Sequence, residues 1–135
     1  MTGMDDAQPK QAVPYERLGG DRAVRALVVA FYDRMDLEEA FADIRKLHPP
    51  SLEGSRDKLY WYLSGWLGGP SLYIDRFGHP RLRARHLPFP IAERERDQWL
   101  ACMRMAMDDV AMDKALATAL MEAMSGVADW MRNRE

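Results

Sequence analysis

Apolar residues recur every three to four positions through most of the chain, which is the spacing of one buried helix face. The clearest case predicts an amphipathic helix over residues 22–35. Its apolar side consists of Val24, Leu27, Val28, Phe31, Tyr32 and Met35. Asp21 directly precedes this stretch and is a typical N-cap residue. Residues 14–18 predict a short helical turn before it, which Gly19 and Gly20 end.

The next two segments show the same period. A weaker helical stretch is predicted over residues 37–47, and it ends at His48 because a residue that precedes proline avoids the helical region. The inward positions of this stretch are Phe41 and Ile44. A further helix begins near Ser51, which can cap it. The buried stripe of that helix consists of Leu52, Leu59, Tyr62, Leu63 and Trp66.

Helical periodicity returns in the last third of the chain. One helix begins near Glu93, and a final helix spans about residues 113–132. The inward face of the first consists of Trp99, Cys102, Met103, Ala106, Met107 and Val110. That of the second consists of Leu116, Leu120, Met124, Val127 and Met131. No segment shows strand-like alternation, so the pattern predicts an all-α domain with four substantial helices.

Residues 71–90 interrupt this regularity after Gly68-Gly69-Pro70 ends the preceding helix. The segment contains four Arg, two His, three Pro and one Gly. It predicts a loop with at most a short helix around residues 81–85, because Pro88 and Pro90 prevent continuation. Compact domains rarely contain so long an irregular connection without a functional reason. Residues 71–90 are therefore the candidate functional segment.

Length and composition limit the class of protein. A chain of 135 residues with 47% hydrophobic and 30% charged residues predicts one globular domain. We expect a flexible tail over residues 1–13 and the domain over residues 14–135. A net charge of -2 without a separate basic block argues against nucleic-acid binding. No apolar run reaches the roughly 20 residues of a membrane span, and the start lacks a secretion signal pattern. The expected location is cytoplasmic, which suits the single Cys102.

His86 is the candidate ligand in the irregular segment. Its apolar neighbours are Leu87, Phe89 and Ile91. Arg83 and Arg85 disfavour a protonated imidazole, and a metal binds the neutral form. The same cations can pair with carboxylates on the edge of a cofactor. Haem combines an apolar plate, two propionates and an iron that binds a proximal histidine. The alternative is a solvated basic loop.

Other chemistries have weaker support. Zinc needs three or four ligands, whereas His48, His79, His86 and Cys102 are scattered. Cys102 lies on an apolar stripe, which favours an inert thiol over a nucleophile. With one cysteine there is no Cys-x-x-Cys-His attachment, so a haem is expected to be bound non-covalently, as haem b.

Several motifs occur together in a characteristic order: Phe31-Tyr32, Trp66-Leu67-Gly68-Gly69-Pro70, Gly78-His79-Pro80-Arg81-Leu82-Arg83-x-Arg85-His86-x-Pro88-Phe89 and Glu95-Arg96-Asp97-x-Trp99-Leu100. Together they closely resemble the group II truncated haemoglobins. The resemblance extends over about residues 15–131. It implies a compact globin with two helices packed on two others around a haem.

The resemblance also implies a role for individual residues. His86 is similar to the proximal iron ligand. Tyr32, Trp99 and, at the start of the loop after the third helix, His48 are similar to distal residues. Ser55 matches the position at which longer globins carry a distal histidine, and Leu59 would lie one turn on, over the haem. Residues similar to those near the propionates are Lys58, Tyr73 and Arg85. The apolar walls would be completed by Tyr62, Trp66, Phe89 and Met103.

The expected function is binding of O₂ and similar ligands such as CO and NO at a five-coordinate ferrous haem. Hydrogen-bond donors from Tyr32, Trp99 and His48 would slow the release of O₂. Without the haem hypothesis, Tyr32 and Trp99 fit a helical core equally well. The alternative function is a peroxidase-like or nitric-oxide-detoxifying redox enzyme with an external reductase. Both a monomer and a homodimer agree with the sequence.

Overall fold

A computed structural model describes residues 12–134, and every regular element in this range is helical. The helices are α1 (Pro14–Leu18), α2 (Asp21–Leu37), α3 (Ala42–Arg45), α4 (Glu53–Trp66), α5 (Leu72–Phe77), α6 (Leu82–His86), α7 (Glu93–Asp109) and α8 (Lys114–Trp130). A 3₁₀ turn over Glu39–Phe41 precedes α3. The all-α prediction is confirmed, whereas the predicted tail lies almost wholly outside the described residues.

Four long helices form the body of the molecule. Helix α2 packs against both α4 and α7, and α7 packs against α8. The pairs α2–α4 and α7–α8 therefore make two helical layers with a common interior. The predicted inward face of α2 is buried along its whole length. No helix in the described range is long and apolar enough to cross a membrane.

Two predicted elements begin differently from the expectation. Gly20, not Asp21, is the N-cap of α2, and Asp21 is its first helical residue. The Asp21 carboxylate instead accepts hydrogen bonds from the Arg25 guanidinium and the Tyr60 hydroxyl of α4. At α4 the Ser51 hydroxyl accepts from the Glu53 backbone N–H at 3.3 Å, but the N-cap position is Leu52. Local propensity located these ends to within a residue.

The stretch predicted as a weaker helix, residues 37–47, is not one helix. The chain leaves α2 at Glu38 in an extended conformation, makes the 3₁₀ turn, and then completes one turn of α3. Phe41 and Ile44 are buried nevertheless, as predicted. Two short turns thus bury apolar residues at the same spacing as one helix would. The periodicity of so short a segment cannot distinguish the two arrangements.

The irregular middle segment contains two short helices rather than at most one. Helix α5 was not predicted, because six residues are too few to show a period. The Tyr73 and Phe77 rings within it lie 4.9 Å apart. Helix α6 follows Arg81, whose φ of 49° is in the left-handed region, and ends two residues before Pro88. Helix α6 carries His86, and Tyr73 of α5 lines the same cavity.

Gly69 does more than end α4. A Cβ atom at this position would lie 2.4 Å from Cδ1 of Tyr15, so only glycine lets the Tyr15 ring approach. The backbone N–H of Tyr15 also donates to the carbonyl of Leu67 at 2.9 Å. Helix α1 is therefore anchored to the turn that leads from α4 towards the site.

Leu27 offers a test of the interior packing. It is fully buried on α2, so Leu27→Ala removes apolar contacts and leaves a cavity. We expect the free energy of unfolding to fall by about 2–5 kcal/mol in urea denaturation of haem-free protein. Val29→Ala on the same helix, where Val29 is 49% exposed, should change it by less than about 0.5 kcal/mol. Equal effects of the two substitutions would contradict this packing.

Candidate haem site

A cavity of about 690 Å³ opens between α4, α6, α7 and α8, with α2 and α3 closing one side. This volume lies within the roughly 300–1,000 Å³ typical of small-molecule sites. The predicted site residues that line it are Tyr32, His48, Ser55, Lys58, Leu59, Tyr62, Trp66, Tyr73, Arg85, His86, Phe89 and Trp99. Residues far apart in the chain thus converge on one cavity.

Met103 does not belong to this lining. It is fully buried and belongs to the hydrophobic core. Its place on the inward stripe of α7 is as predicted, but the cavity is lined one turn earlier on that helix, at Trp99. The helical period alone does not show where along a buried stripe a core becomes a cavity.

Sequence reasoning missed part of the lining. Helix α8 contributes an apolar wall that was interpreted only as core: Met124, Val127 and Met131. Leu82 also lines the cavity and was not predicted. Of the expected apolar neighbours of His86, Phe89 and Ile91 line the cavity, whereas Leu87 does not and is 50% exposed. The apolar stripe of α8 carried the signal, but periodicity cannot separate packing against protein from packing against a ligand.

The His86 ring is held in one tautomer by its own helix. Its Nδ1 lies 2.6 Å from the carbonyl oxygen of Leu82, so Nδ1–H donates to that oxygen. The lone pair of the neutral ring is therefore on Nε2, and the side chain lines the cavity. An orienting bond from the second ring nitrogen to a carbonyl is typical of metal-binding histidines.

Two exposed cations, Arg85 and Lys58, line the cavity. Arg85 lines the cavity, donates from Nε to the carbonyl of Pro80 at 2.8 Å, and lies 5.9 Å from the centroid of the Tyr73 ring. Lys58 also lines the cavity, from α4. The lining carboxylate of Glu95 is already engaged by the Ala92 backbone N–H, which lowers the pKa of Glu95. An anionic ligand edge is thus favoured at Arg85 and Lys58.

Arg83 has a different place from the one predicted. Its guanidinium turns away from the imidazole and donates to the carbonyls of Trp130 and Arg132, at the end of α8. No direct contact between Arg83 and the His86 ring among the described residues therefore supports the expected effect on the charge of His86.

Two donors face the cavity from the other side. Burial raises the pKa of Tyr32, so its hydroxyl remains protonated. Tyr32 and Trp99 each pack against Phe31, with ring centroids 5.0 and 5.2 Å apart. Within residues 12–134, neither the Tyr32 hydroxyl nor the Trp99 indole N–H donates to a protein atom. Both donors are therefore available to a ligand in the cavity.

His48 differs from the predicted donor. Its Nδ1 lies 2.8 Å from the carbonyl oxygen of Ile44, so the ring N–H is used there and Nε2 can only accept while the ring is neutral. Burial lowers the pKa of His48, the hydrogen bond to the Ile44 carbonyl raises it in part, and the nearby charge of Arg45 lowers it, so the net shift favours the neutral ring. The Tyr32 ring meets it edge-on at 5.7 Å. His48 thus offers an acceptor beside the Tyr32 donor.

The donor set defines which metal group fits. Among the described residues, no cluster of three or more His, Cys, Asp or Glu side chains could hold a bare metal ion. Cys102 is buried, donates to the Phe31 carbonyl, and has its pKa raised by burial to about 12. A single imidazole lone pair in an apolar cleft with a cationic rim fits a metal whose other ligands come from a flat macrocycle, and haem is such a group.

A two-layer helical fold with this cleft defines the class of haem-binding globins. The sequence model of the bacterial-like globin family matches residues 13–133. The chain is 37% identical over 121 residues to "Group 2 truncated hemoglobin YjbI" of Bacillus subtilis, covering 90% of this chain and 89% of that protein. The chain belongs to the bacterial-like globins, as a group II truncated haemoglobin.

Solved structures agree with this assignment. The group II 2-on-2 haemoglobin of Agrobacterium tumefaciens superposes with a TM-score of 0.90 at 42% identity, covering 96% of this chain and 100% of that one. The truncated oxygen-avid haemoglobin of Bacillus subtilis superposes with a TM-score of 0.82 at 37% identity, covering 90% of this chain and 100% of that one. The predicted two-on-two globin fold is confirmed.

Proposed function

We propose that this globin binds haem b non-covalently through Nε2 of His86 and reversibly binds O₂ and other diatomic ligands at the haem. The observation that carries the proposal is the Nδ1–H···O bond from His86 to Leu82, which leaves the Nε2 lone pair in an apolar cavity. Haem would supply the iron that coordinates the small ligand. The chain itself would hold the group, exclude water and orient the donors.

Separate parts of the cavity would hold separate parts of the haem. The apolar walls formed by α4 and α8 would contact the porphyrin faces and keep water from the iron. Lys58 and Arg85 would pair with the propionates, since they are the exposed cations of the lining. The division of the lining into an apolar interior and a cationic rim supports this arrangement.

Tyr32 and Trp99 would act on the bound ligand. Each has a donor that no described protein atom uses, so each can donate to a ligand with partial negative charge. His48 would add no hydrogen bond to the ligand while its ring is neutral, because its N–H is used by the Ile44 carbonyl and Nε2 can only accept. A similar protein is described as oxygen-avid, which supports tight O₂ binding as the proposed property.

Reconstitution tests the haem proposal directly. The purified haem-free chain is titrated with hemin and then desalted. We expect a Soret band that saturates at one hemin per chain and persists after desalting, because coordination and apolar burial act together. Protein that remains colourless after desalting would contradict the proposal.

The His48 ring predicts a specific pH dependence of O₂ release. Above pH 6.5 the ring is neutral, Nε2 has no proton, and the release rate should be flat, because the pKa of His48 is lowered from 6.5. Below the lowered pKa, Nε2–H becomes a donor, so release should slow as the pH falls. Stopped-flow dissociation from pH 5 to 8 measures this change.

Other titratable groups that line the cavity with His48 define the control. The Tyr32 hydroxyl does not titrate in this range, and the pKa of Glu95 lies below its ordinary value. His48→Gln should therefore give a flat profile, so that an identical acid dependence in this variant would exclude His48 as the titrating group. If wild type released O₂ more slowly than His48→Gln at pH 8, where the His48 ring is neutral, the assigned tautomer would be contradicted.

Redox catalysis is the second candidate. The two donors that face the cavity would also polarise the O–O bond of peroxide or O₂. Steady-state turnover of peroxide or nitric oxide with an added chemical reductant tests this alternative. Turnover that Trp99→Phe abolishes would favour an enzyme, and O₂ binding without turnover would favour a binding protein.

A further inference from the structure

The residues that follow α8 return to the segment that carries the proposed iron ligand. Asn133, the only asparagine in the sequence, donates from Nδ2 to the carbonyls of His86 and Phe89, at 3.2 and 2.9 Å. Its Oδ1 accepts from the backbone N–H of Ile91 at 3.0 Å. Its own backbone N–H donates to the Ile91 carbonyl at 2.8 Å. One side chain thus bonds to the last residue of α6 and to two residues of the loop that follows it.

A second contact joins α6 itself to the same end of α8. Nη1 of Arg83 lies 2.6 Å from the Trp130 carbonyl and 2.9 Å from the Arg132 carbonyl. The last carbonyls of a helix have no partners within it and carry partial negative charge. A guanidinium at this place therefore makes charge-assisted hydrogen bonds that hold α6 against the end of α8.

Helix α6 needs such support because little else orients it. It has five residues, and a helix this short is not stable by itself. Pro88 and Pro90 follow, so two backbone donors are absent from the loop. Leu87 and Phe89 are 50% and 41% exposed, so apolar packing contributes little there. The position of the His86 backbone consequently depends on contacts from outside the segment.

We propose that Asn133 and Arg83 are positioning residues that hold α6 and thereby fix the direction of the His86 ring towards the haem iron. This inference rests on the proposed role of His86. It assigns to the C-terminal segment a function in haem retention and in the geometry of the iron–histidine bond, although neither residue lines the cavity. The contact joins residues 47 positions apart in the chain, since Asn133 reaches His86.

Two substitutions at Asn133 separate its bonds. Asn133→Ala removes all three side-chain bonds. Asn133→Asp keeps an acceptor for Ile91 N–H but removes both donations to the His86 and Phe89 carbonyls. We expect both variants to lose hemin to an excess of an apo-globin acceptor about fivefold faster than wild type, or more. We also expect both to shift the iron–histidine stretching frequency in resonance Raman spectra of the ferrous protein.

A readout on haem-free protein is independent of the iron bond. Amide hydrogen exchange of Ile91 should accelerate in Asn133→Ala, because its acceptor is gone, and should stay close to wild type in Asn133→Asp. If Asn133→Ala fails to fold by circular dichroism, Asn133→Asp decides the test through its haem loss and its Raman frequency. Slow exchange of Ile91 in Asn133→Ala would contradict the observed bond.

Substitutions of Arg83 give a second test that is independent of Asn133. Arg83→Met keeps much of the side-chain length without the charge and should accelerate hemin loss, whereas Arg83→Lys keeps a cationic donor and should restore part of the wild-type value. Glu122→Ala is the control, since Glu122 is exposed on α8 and makes none of these contacts. Its hemin loss and Raman frequency should equal those of wild type.

The outcomes distinguish this inference from the proposed function. Wild-type hemin loss and Raman frequency in Asn133→Ala and Arg83→Met would overturn the positioning role, even if both variants were less stable to urea. Wild-type protein that holds no hemin, or His86→Gly with an unchanged ferrous spectrum, would instead overturn the role of His86. Faster hemin loss together with a shifted frequency in both variants would support positioning.

Discussion

His86→Gly is expected to lose stable haem, and free imidazole in the buffer is expected to restore it. The substitution removes the one imidazole whose Nε2 lone pair is free on the α6 side of the cavity, while the apolar walls remain. Hemin would then be held by burial alone and be removed by desalting. Imidazole can occupy the space left by the side chain and supply the missing nitrogen. Absorption spectra of desalted samples with and without imidazole measure both effects.

The matched control for this experiment is His79→Ala. His79 is exposed, does not line the cavity, and uses Nδ1 to accept from the Arg81 backbone N–H. Its substitution should leave the ferrous spectrum unchanged. A five-coordinate ferrous spectrum that persists in His86→Gly without imidazole would exclude His86 as the ligand, and its loss in His79→Ala would point to His79.

The combined substitution Tyr32→Phe with Trp99→Phe is expected to accelerate O₂ release by roughly 25–100-fold. One hydrogen bond contributes about 1–1.5 kcal/mol, which corresponds to about five- to tenfold per donor if the two effects add. Phenylalanine keeps an aromatic ring at both positions, so the change falls mainly on the donors. Stopped-flow dissociation of the ferrous O₂ form gives the rates for the two single variants and the double variant.

The two effects need not be independent. Both rings pack against Phe31, with centroid separations of 5.0 and 5.2 Å, and side chains with a common partner often couple. The double-mutant cycle measures this coupling. Tyr60→Phe is the control, because the Tyr60 hydroxyl donates to Asp21 outside the cavity, and its release rate should equal that of wild type. An unchanged rate in the double variant would remove both residues from ligand stabilisation.

The hydrophobic pattern predicted the long helices of this chain well, because their apolar positions are strongly periodic. The inward face predicted for α2 is buried residue by residue, and α8 begins at the predicted position, with Asp113 accepting from the Leu116 backbone N–H at 3.0 Å. Short elements were less accessible to prediction. Helix α5 and the turns near α3 contain too few residues to show a period, and their conformation depends on what they pack against.

Residues that line the cavity were predictable where a motif accompanied them, as at His86, Tyr32 and Trp99. Met103 shows the limit, since it lies on the same inward stripe as Trp99 yet is surrounded by protein. The apolar wall of α8 shows the opposite error, because a stripe that reads as core lines a cavity. A residue packed in the core and a residue that lines an apolar cavity are of the same types and have the same helical spacing. The sequence pattern therefore does not distinguish them.

The sequence by itself determined the helical fold, the interruption at residues 71–90, and His86 as the candidate ligand, because helical periodicity and proline placement act over a few neighbouring residues. The tertiary structure decided the tautomer of His48, the direction of Arg83, and the bonds from Asn133 to the loop after α6. Each of these depends on which carbonyl oxygen lies within about 3 Å of a donor, and only the folded chain sets that distance.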